Sequence, residues 1–320
     1  MGRAPCIIFP TMEKLAIIKT TLPYIRKFRK KTFVIKMGGE VVRDPENLHS
    51  VTEDLSLLHN VGIDIVVVHG GGPQADEMLE RLGLKPSYVN GRRVTDDHAL
   101  EVAKMVFSGK INIELIASLR KWGADTVGLS GVDGGILTAV RRPAKSVVDE
   151  TTGKTVEVDY GHVGDIVAVD PTLITTLLAQ DYVPVLCSLA SDDEGHLFNI
   201  NADTVATALA RVLKAEKLIV MTDVPGILTD RRDPTTLLSY LDTAQVRRLV
   251  EEGKITEGMR PKVEACLAAV ENGVRRAHVI DGTKKHSLLE EIFTNAGSGT
   301  MIVSKRDVPA PHEAEAAAQA

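Results

Sequence analysis

Short apolar runs that end in glycine constrain this chain more than any other feature. Ile63–Val68 leads straight into His69-Gly70-Gly71-Gly72-Pro73, and Thr32–Met37 leads into Gly38-Gly39. Further strand-like runs at 124–129, 165–169, 182–187, 216–221 and 277–280 alternate with helical patterns. Those patterns cover 46–61, 73–83, 96–108, 110–121, 171–180, 201–213, 243–252, 257–272 and 285–294. A strand that is apolar throughout has no polar face to offer water, so helices must cover both of its sides. The sequence therefore predicts an α/β fold, a three-layer αβα sandwich around a mostly parallel sheet. Residues 141–163 carry alternating valines about a Thr-Gly turn, which predicts a hairpin excursion.

Ahead of the first strand, residues 12–29 read as a helix with an apolar seam at Leu15, Ile18, Leu22, Ile25 and Phe28. Pro23 lies inside it and is expected to kink it. The helix either packs on its own subunit or serves as an arm that pairs with another. At the other end, PAPHEAEAAAQA is expected to be disordered. Composition removes several function classes. Only 4% of the 320 residues are aromatic and the net charge is -5, neither of which suits a general nucleic-acid binder. Cys6, Cys187 and Cys266 are far apart, with no C-x-x-C and no H-E-x-x-H, so neither a disulfide framework nor a structural zinc site is expected. No run is long enough to span a membrane, the start is too weakly apolar for a signal peptide, and a reducing cytoplasm fits best.

Six segments could handle anions or polar substrates. Lys36 meets Gly38 and Gly39 at a strand end, where glycines let backbone amides approach an anion and the lysine supplies a full charge. Gly70, Gly71 and Gly72 leave a second strand, and the helix opened by Pro73 aims its first amides at whatever they cradle. Neither segment is a G-x-x-x-x-G-K-[ST] loop or a G-x-G-x-x-G fingerprint, which disfavours a dinucleotide-binding oxidoreductase. His69 reads as a hydrogen-bonded strand-end residue. Arg92 and Arg93 sit on a turn before a helix capped by Thr95 or Asp96, and arginine can grip a carboxylate through two parallel hydrogen bonds. Asn199, Asn201 and Asp203 precede an Ala-rich helix, with Asn201 as its cap. Thr222, Asp223 and Gly226 follow a strand, where α/β folds bind ligands. Lys262 opens a helix, a place unfavourable to a cation unless an anion joins it.

In this order and spacing, the segments resemble the amino-acid kinase family, and within it the N-acetylglutamate kinases. The motifs are IKMGG, VVVHGGGPQ, VNGRRVTD, LSGVDGG, HVGDI, NINAD, MTDVPGIL, ITEGMRPK and AHVIDGTKKHSLLEEIFTNAGSGTMI, across roughly residues 20–304. The resemblance implies transfer of phosphate from ATP to the γ-carboxylate of N-acetyl-L-glutamate, a step of arginine biosynthesis. It implies that Lys36 and Lys262 hold the phosphoryl group in transit and that Asp203 orients both. Amides of Gly38, Gly39, Gly71 and Gly72 would meet phosphate oxygens. Arg93 and Asn199 would hold the acyl amino acid, while Thr222, Asp223 and Gly226 would border ATP, whose Mg²⁺ is held by phosphates and water rather than by the protein.

The same resemblance divides the chain into an oligomerisation arm (1–29), an acyl-amino-acid lobe (30–213), an ATP lobe (214–305) and a tail (306–320). It also implies ring-like hexamers built by interlaced arms, and feedback inhibition by L-arginine at Tyr24, Lys217, His278, Glu291, Gly297 and Ser298. Three positions depart from the family pattern: Met37 where tyrosine is frequent, Glu40 after the glycines, and Thr283 where arginine is common. Two other readings stay open, a kinase for a related acyl amino acid such as an aminoadipate derivative, and a non-catalytic arginine-sensing domain.

Overall fold

The computed structural model describes residues 11–148, 154–230, 232–255 and 258–304. The expected disordered tail lies outside them. The strands are β1 (Thr32–Met37), β2 (Asp64–His69), β3 (Ser87–Val89), β4 (Arg92–Val94), β5 (Thr126–Ser130), β6 (Leu137–Arg141), β7 (Lys145–Val148), β8 (Thr155–Val158), β9 (Gly164–Val169), β10 (Val183–Cys187), β11 (Leu189–Ser191), β12 (Leu197–Asn199), β13 (Lys217–Thr222), β14 (Tyr240–Asp242), β15 (Arg276–Asp281) and β16 (Thr300–Val303). The helices are α1 (Thr11–Phe28), α2 (Gly39–Arg43), α3 (Pro45–Asn60), α4 (Gly72–Arg81), α5 (Asp97–Ala103), α6 (Asn112–Lys121), α7 (Thr172–Ala179), α8 (Ala202–Val212), α9 (Thr243–Glu251), α10 (Arg260–Glu271) and α11 (Ser287–Phe293).

Eight strands form one sheet in the order β14-β16-β15-β13-β1-β2-β10-β5. Within it only β15 and β16 pair antiparallel. Period-two alternation sorts each central strand between two cores. Phe33, Ile35 and Met37 of β1, with Ile65 and Val67 of β2, join α3, α6 and α11 on one face. Val34, Val66 and Val68 join α7, α8, α9 and α10 on the other. This is the expected αβα sandwich. The alternation also dictates that Lys36, two residues after Val34, emerges on the α8–α10 face.

The sheet crosses the sequence boundary near residue 213 without a break, because β1 pairs with β13 residue for residue from Phe33–Lys217 to Met37–Met221. The carboxyl ends of β1, β2 and β10 are level, since Met37 pairs with His69 and Cys187 pairs with His69. Loops that follow these strands must therefore converge at one edge. The expected excursion is the β7–β8 antiparallel hairpin.

One expectation needs correction. Separate helices were expected to meet near Gly109, but α5 continues through a π-helical stretch, Lys104–Ile111, into α6. Gly109 invites a break by propensity, yet Phe107 and Ile111 are buried on either side, and packing outweighs propensity. Pro23 lies within α1, which runs from Thr11 to Phe28 as one helix. Of the proposed seam, Phe28 is buried and Leu22 is exposed; the side chains of Leu15 and Ile18 lie outside the described residues.

Candidate active site

Lys36 leaves β1 under the helical layer and meets Asp203 of α8 in an ion pair of 2.9 Å, both side chains 7% exposed. Asn201 caps α8 by accepting from the amides of Asp203 and Thr204, and this cap places Asp203 in the first turn, facing the sheet. Lys262 stands in the first turn of α10, which packs beside α8, and donates to Gly258 O at 3.2 Å. Its ammonium is held below the usual lysine range by burial first and by the charge of Lys36 second, against the pull of Asp203 and Asp223. Two cations and a carboxylate from three separate elements thus share one electrostatic neighbourhood.

A cleft of about 920 Å³ opens beside them, walled by Lys36, Gly39, Gly70–Gly72, Arg93, Asn199, Asp203 and Pro261 among others. The glycines differ in what they make possible. A Cβ on Gly39 would come within 2.6 Å of the Pro73 ring, so its bareness lets α4 pack against the β1 turn. A Cβ on Gly71 would come within 2.4 Å of Ile111, next to Phe107 in the π-helical stretch. At Gly72 the nearest atom to such a Cβ is Arg93 Nη2 at 3.9 Å, so the protein itself leaves space there, on the cleft side. Gln74, buried in the first turn of α4, donates to Gly39 O at 2.8 Å and ties the two glycine turns together.

Arg93 is held rather than free. Its guanidinium meets Asp76 at 2.6 Å, donates to Gly72 O at 3.0 Å and to Tyr88 Oη at 2.6 Å, and lies over the Tyr88 ring. Tyr88 Oη in turn donates to Asp76, and burial followed by that bond pushes its pKa up to about 12. Asp76 and Tyr88 carried no sequence signal, because nothing in their spacing ties them to the arginine turn. The turn itself is the β3–β4 hairpin, and Asp96, not Thr95, caps α5 by accepting from Ala99 N. Asn199 donates to Thr95 Oγ1 at 3.1 Å from the cleft wall.

Gly38, Thr222, Asp223, Gly226 and Lys262 are not among the residues that wall this cleft, although Pro261 beside Lys262 is. Gly38 sits at the β1 exit and donates to Met221 O at 3.2 Å; Thr222 donates to Asp223 at 3.0 Å. Gly226 is buried at φ 149°, where a Cβ would come within 2.6 Å of Thr300 Oγ1.

The family model of the amino acid kinase family matches residues 31–281. An acetylglutamate kinase of Heliobacterium modesticaldum is 46% identical over 292 residues, covering 91% of this chain and 98% of that one. One from Methanocaldococcus jannaschii is 44% identical, covering 91% and 96%. The chain belongs to the amino acid kinase family. The chain is also similar to an N-acetylglutamate synthase from Neisseria gonorrhoeae, solved with coenzyme A and N-acetyl-glutamate, at 29% identity and a TM-score of 0.78. That match covers 91% of this kinase and 63% of the synthase chain. A carbamate kinase from Giardia lamblia, at 17% identity and a TM-score of 0.59, shares the fold.

A second polar cluster lies in the body of this kinase, away from the glycine turns. Lys217 Nζ is 2.8 Å from His278 Nε2, and His278 Nδ1 is 2.6 Å from Glu291 Oε1. Glu291 Oε2 accepts from the amides of Ser298 at 2.6 Å and Gly299 at 3.0 Å. Gly297, at φ 69°, sits where a Cβ would come within 2.7 Å of the same oxygen. Burial pulls Lys217 down to about 7 and, with the charge of Lys217, pulls His278 down to about 4. Burial pushes Glu291 up, but its bonds to His278 and the two amides outweigh that and leave it below the usual range. Tyr24 approaches from α1, edge-on to Phe293 and donating to Asn295 at 2.5 Å. The six residues named from sequence therefore gather around α11.

Proposed function

We propose that this chain transfers the γ-phosphoryl group of ATP to the side-chain carboxylate of N-acetyl-L-glutamate. The carrying observation is the Lys36–Asp203 pair, with Lys262 in its field, at the edge of a cleft that also holds Arg93 and Asn199. A glutamate side chain titrates near 4.3, so the nucleophile is already ionised at neutral pH and no general base is needed. The obstacle is repulsion between two anions and the negative charge spread over the transferred group. Lys36 and Lys262 offset that charge, and glycine amides add oriented dipoles. Asp203 keeps Lys36 pointing at the group in transit. Arg93, braced by Asp76 and Tyr88, offers a planar donor edge to a carboxylate of the acyl amino acid.

Magnesium enters with ATP in this reading. Among the described residues, the one cluster with metal-ligand proximity is Asp192–Glu194–His196 on the β11–β12 turn, and none of its members walls the cleft. In this reading the ion is coordinated by phosphates and water, where it screens their charge. The assignment of an acyl-amino-acid lobe and an ATP lobe to residues 30–213 and 214–305 is part of the same proposal.

L-Arginine as an inhibitor is the second part of the reading. Glu291 offers a buried carboxylate of the kind a guanidinium needs, and the N-acetylglutamate synthase from Neisseria gonorrhoeae has been solved with L-arginine at 26% identity and a TM-score of 0.75. A coupled ADP-release assay decides the whole reading. N-acetylglutamate is expected to support turnover above an N-acetylaminoadipate control, and arginine to depress it. No turnover with either substrate would instead favour the sensing-domain alternative.

A further inference from the structure

Two buried residues on different elements hold the main chain behind the second glycine turn. His69, fully buried at the end of β2, has Nδ1 3.1 Å from Gly70 O and Nε2 3.1 Å from Asn112 Nδ2. Asn112, the first residue of α6, also places Nδ2 3.0 Å from Val185 O and 3.4 Å from Leu129 O. Carbonyl oxygens only accept, so the atom facing them is the amide NH₂. That group has only donors to offer, so Nε2 of His69 must be the acceptor and the ring proton must sit on Nδ1. Burial keeps the ring neutral, with its pKa pulled down to about 4. Nδ1–H then donates to the Gly70 carbonyl.

A trans peptide points its C=O and N–H in opposite directions. The peptide bonds of the described residues are all trans. Fixing Gly70 O against the ring therefore turns the amide of Gly71 away from it, and Gly71 walls the cleft. Gly71 N donates to no main-chain carbonyl among the described hydrogen bonds. Gly128 makes the arrangement possible, since a Cβ there would come within 2.1 Å of Asn112 Oδ1. We infer that His69 and Asn112 are positioning residues whose linked hydrogen bonds aim the Gly71 amide at the phosphoryl group in transit. The proposed kinase reaction supplies the identity of what the amide meets; the proton position on His69 does not depend on it.

Long-range proton–nitrogen spectra of the full-length, histidine-labelled protein at neutral pH test the first link, with His69→Asn assigning the ring. An Nδ1–H tautomer is expected, and an Nε2–H tautomer or an imidazolium would overturn the proposal. Kinetics test the second. His69→Leu is expected to lower kcat about 100-fold, the cost of losing one oriented donor, with little change in KM for the acyl amino acid. His69→Asn, whose short amide can stand where Nδ1–H stood, is expected to recover about tenfold of that loss. An unchanged kcat in His69→Leu, or a loss confined to KM, would refute the aiming role. Where His69→Leu fails to fold, the wild-type spectrum still decides. A wild type that transfers no phosphate, yet shows the Nδ1–H ring, would sink the kinase reading and not the geometry.

Discussion

Lys36 and Lys262 are both cations of one site, but they are held differently, and substitutions should separate them. Lys36 is buried against Asp203, so Asp203→Asn strands a charge away from water. Breaking a buried pair from one side costs about 3 kcal/mol or more. Asp203→Asn should therefore lower urea stability by roughly that amount as well as kcat. Lys262 is partly exposed and bonded only to a backbone oxygen among its described partners. Lys262→Ala should leave the melting temperature nearly unchanged while kcat falls roughly 10³-fold, the equivalent of about 4 kcal/mol of lost charge stabilisation. An unaltered kcat would remove Lys262 from the mechanism. Sequence made the lysines suspicious through their neighbours, Gly38-Gly39 and a helix start. It could not pair Lys36 with Asp203, because only the alternation of β1 and the cap of α8 bring them together; the family resemblance named that pair. Asn112 was invisible for the same reason, lying 43 residues from His69.

Most strands of five or six residues were legible, and the three-residue strands were not. β1, β2, β10 and β13 read as strands because every position but Lys36, Asp64 and a few ends is apolar. β3, β4, β11, β12 and β14 are three-residue strands, too short for a period to show. The α5–α6 join misled because propensity marked Gly109 while packing decided the backbone. At this scale α11 also carries a testable contact. Asp54 of α3, 1% exposed, lies 2.7 Å from His286 at the start of α11. Burial raises its pKa from 3.8 to about 6, only partly countered by His286. The folded value exceeds the unfolded one, so the folded chain holds the extra proton between those pH values. Asp54 therefore favours folding most below pH 4, and that contribution is lost as pH rises to about 6, by up to about 3 kcal/mol. Asp54→Asn should flatten the stability–pH curve across this window in denaturant titrations. An unchanged slope would mean that His286 compensates the charge fully.

At the scale of the whole molecule, α1 is the element whose role extends beyond its own packing or stops at it. Its inner half belongs to its own chain: Phe28 is 2% exposed, packs edge-on to Phe33, and lies under the ammonium of Lys217. Tyr24 reaches Phe293 and Asn295 at the end of α11, beside the Lys217–His278–Glu291 chain. Leu22, by contrast, is exposed on the same helix. Deleting residues 1–29 would confuse the two roles, since losing a buried phenylalanine alone costs about 3–5 kcal/mol. Deleting residues 1–20 keeps Tyr24 and Phe28 and removes only the outer half. If the outer half joins subunits, this truncated kinase should keep its turnover and melting temperature but sediment as a smaller particle. If subunit contact also braces the arginine cluster through Tyr24, inhibition by arginine should weaken in parallel. A particle of unchanged size would assign α1 to its own subunit along its whole length, and any arginine effect would then arise within one chain, through Tyr24, Phe28 and the charge they press against.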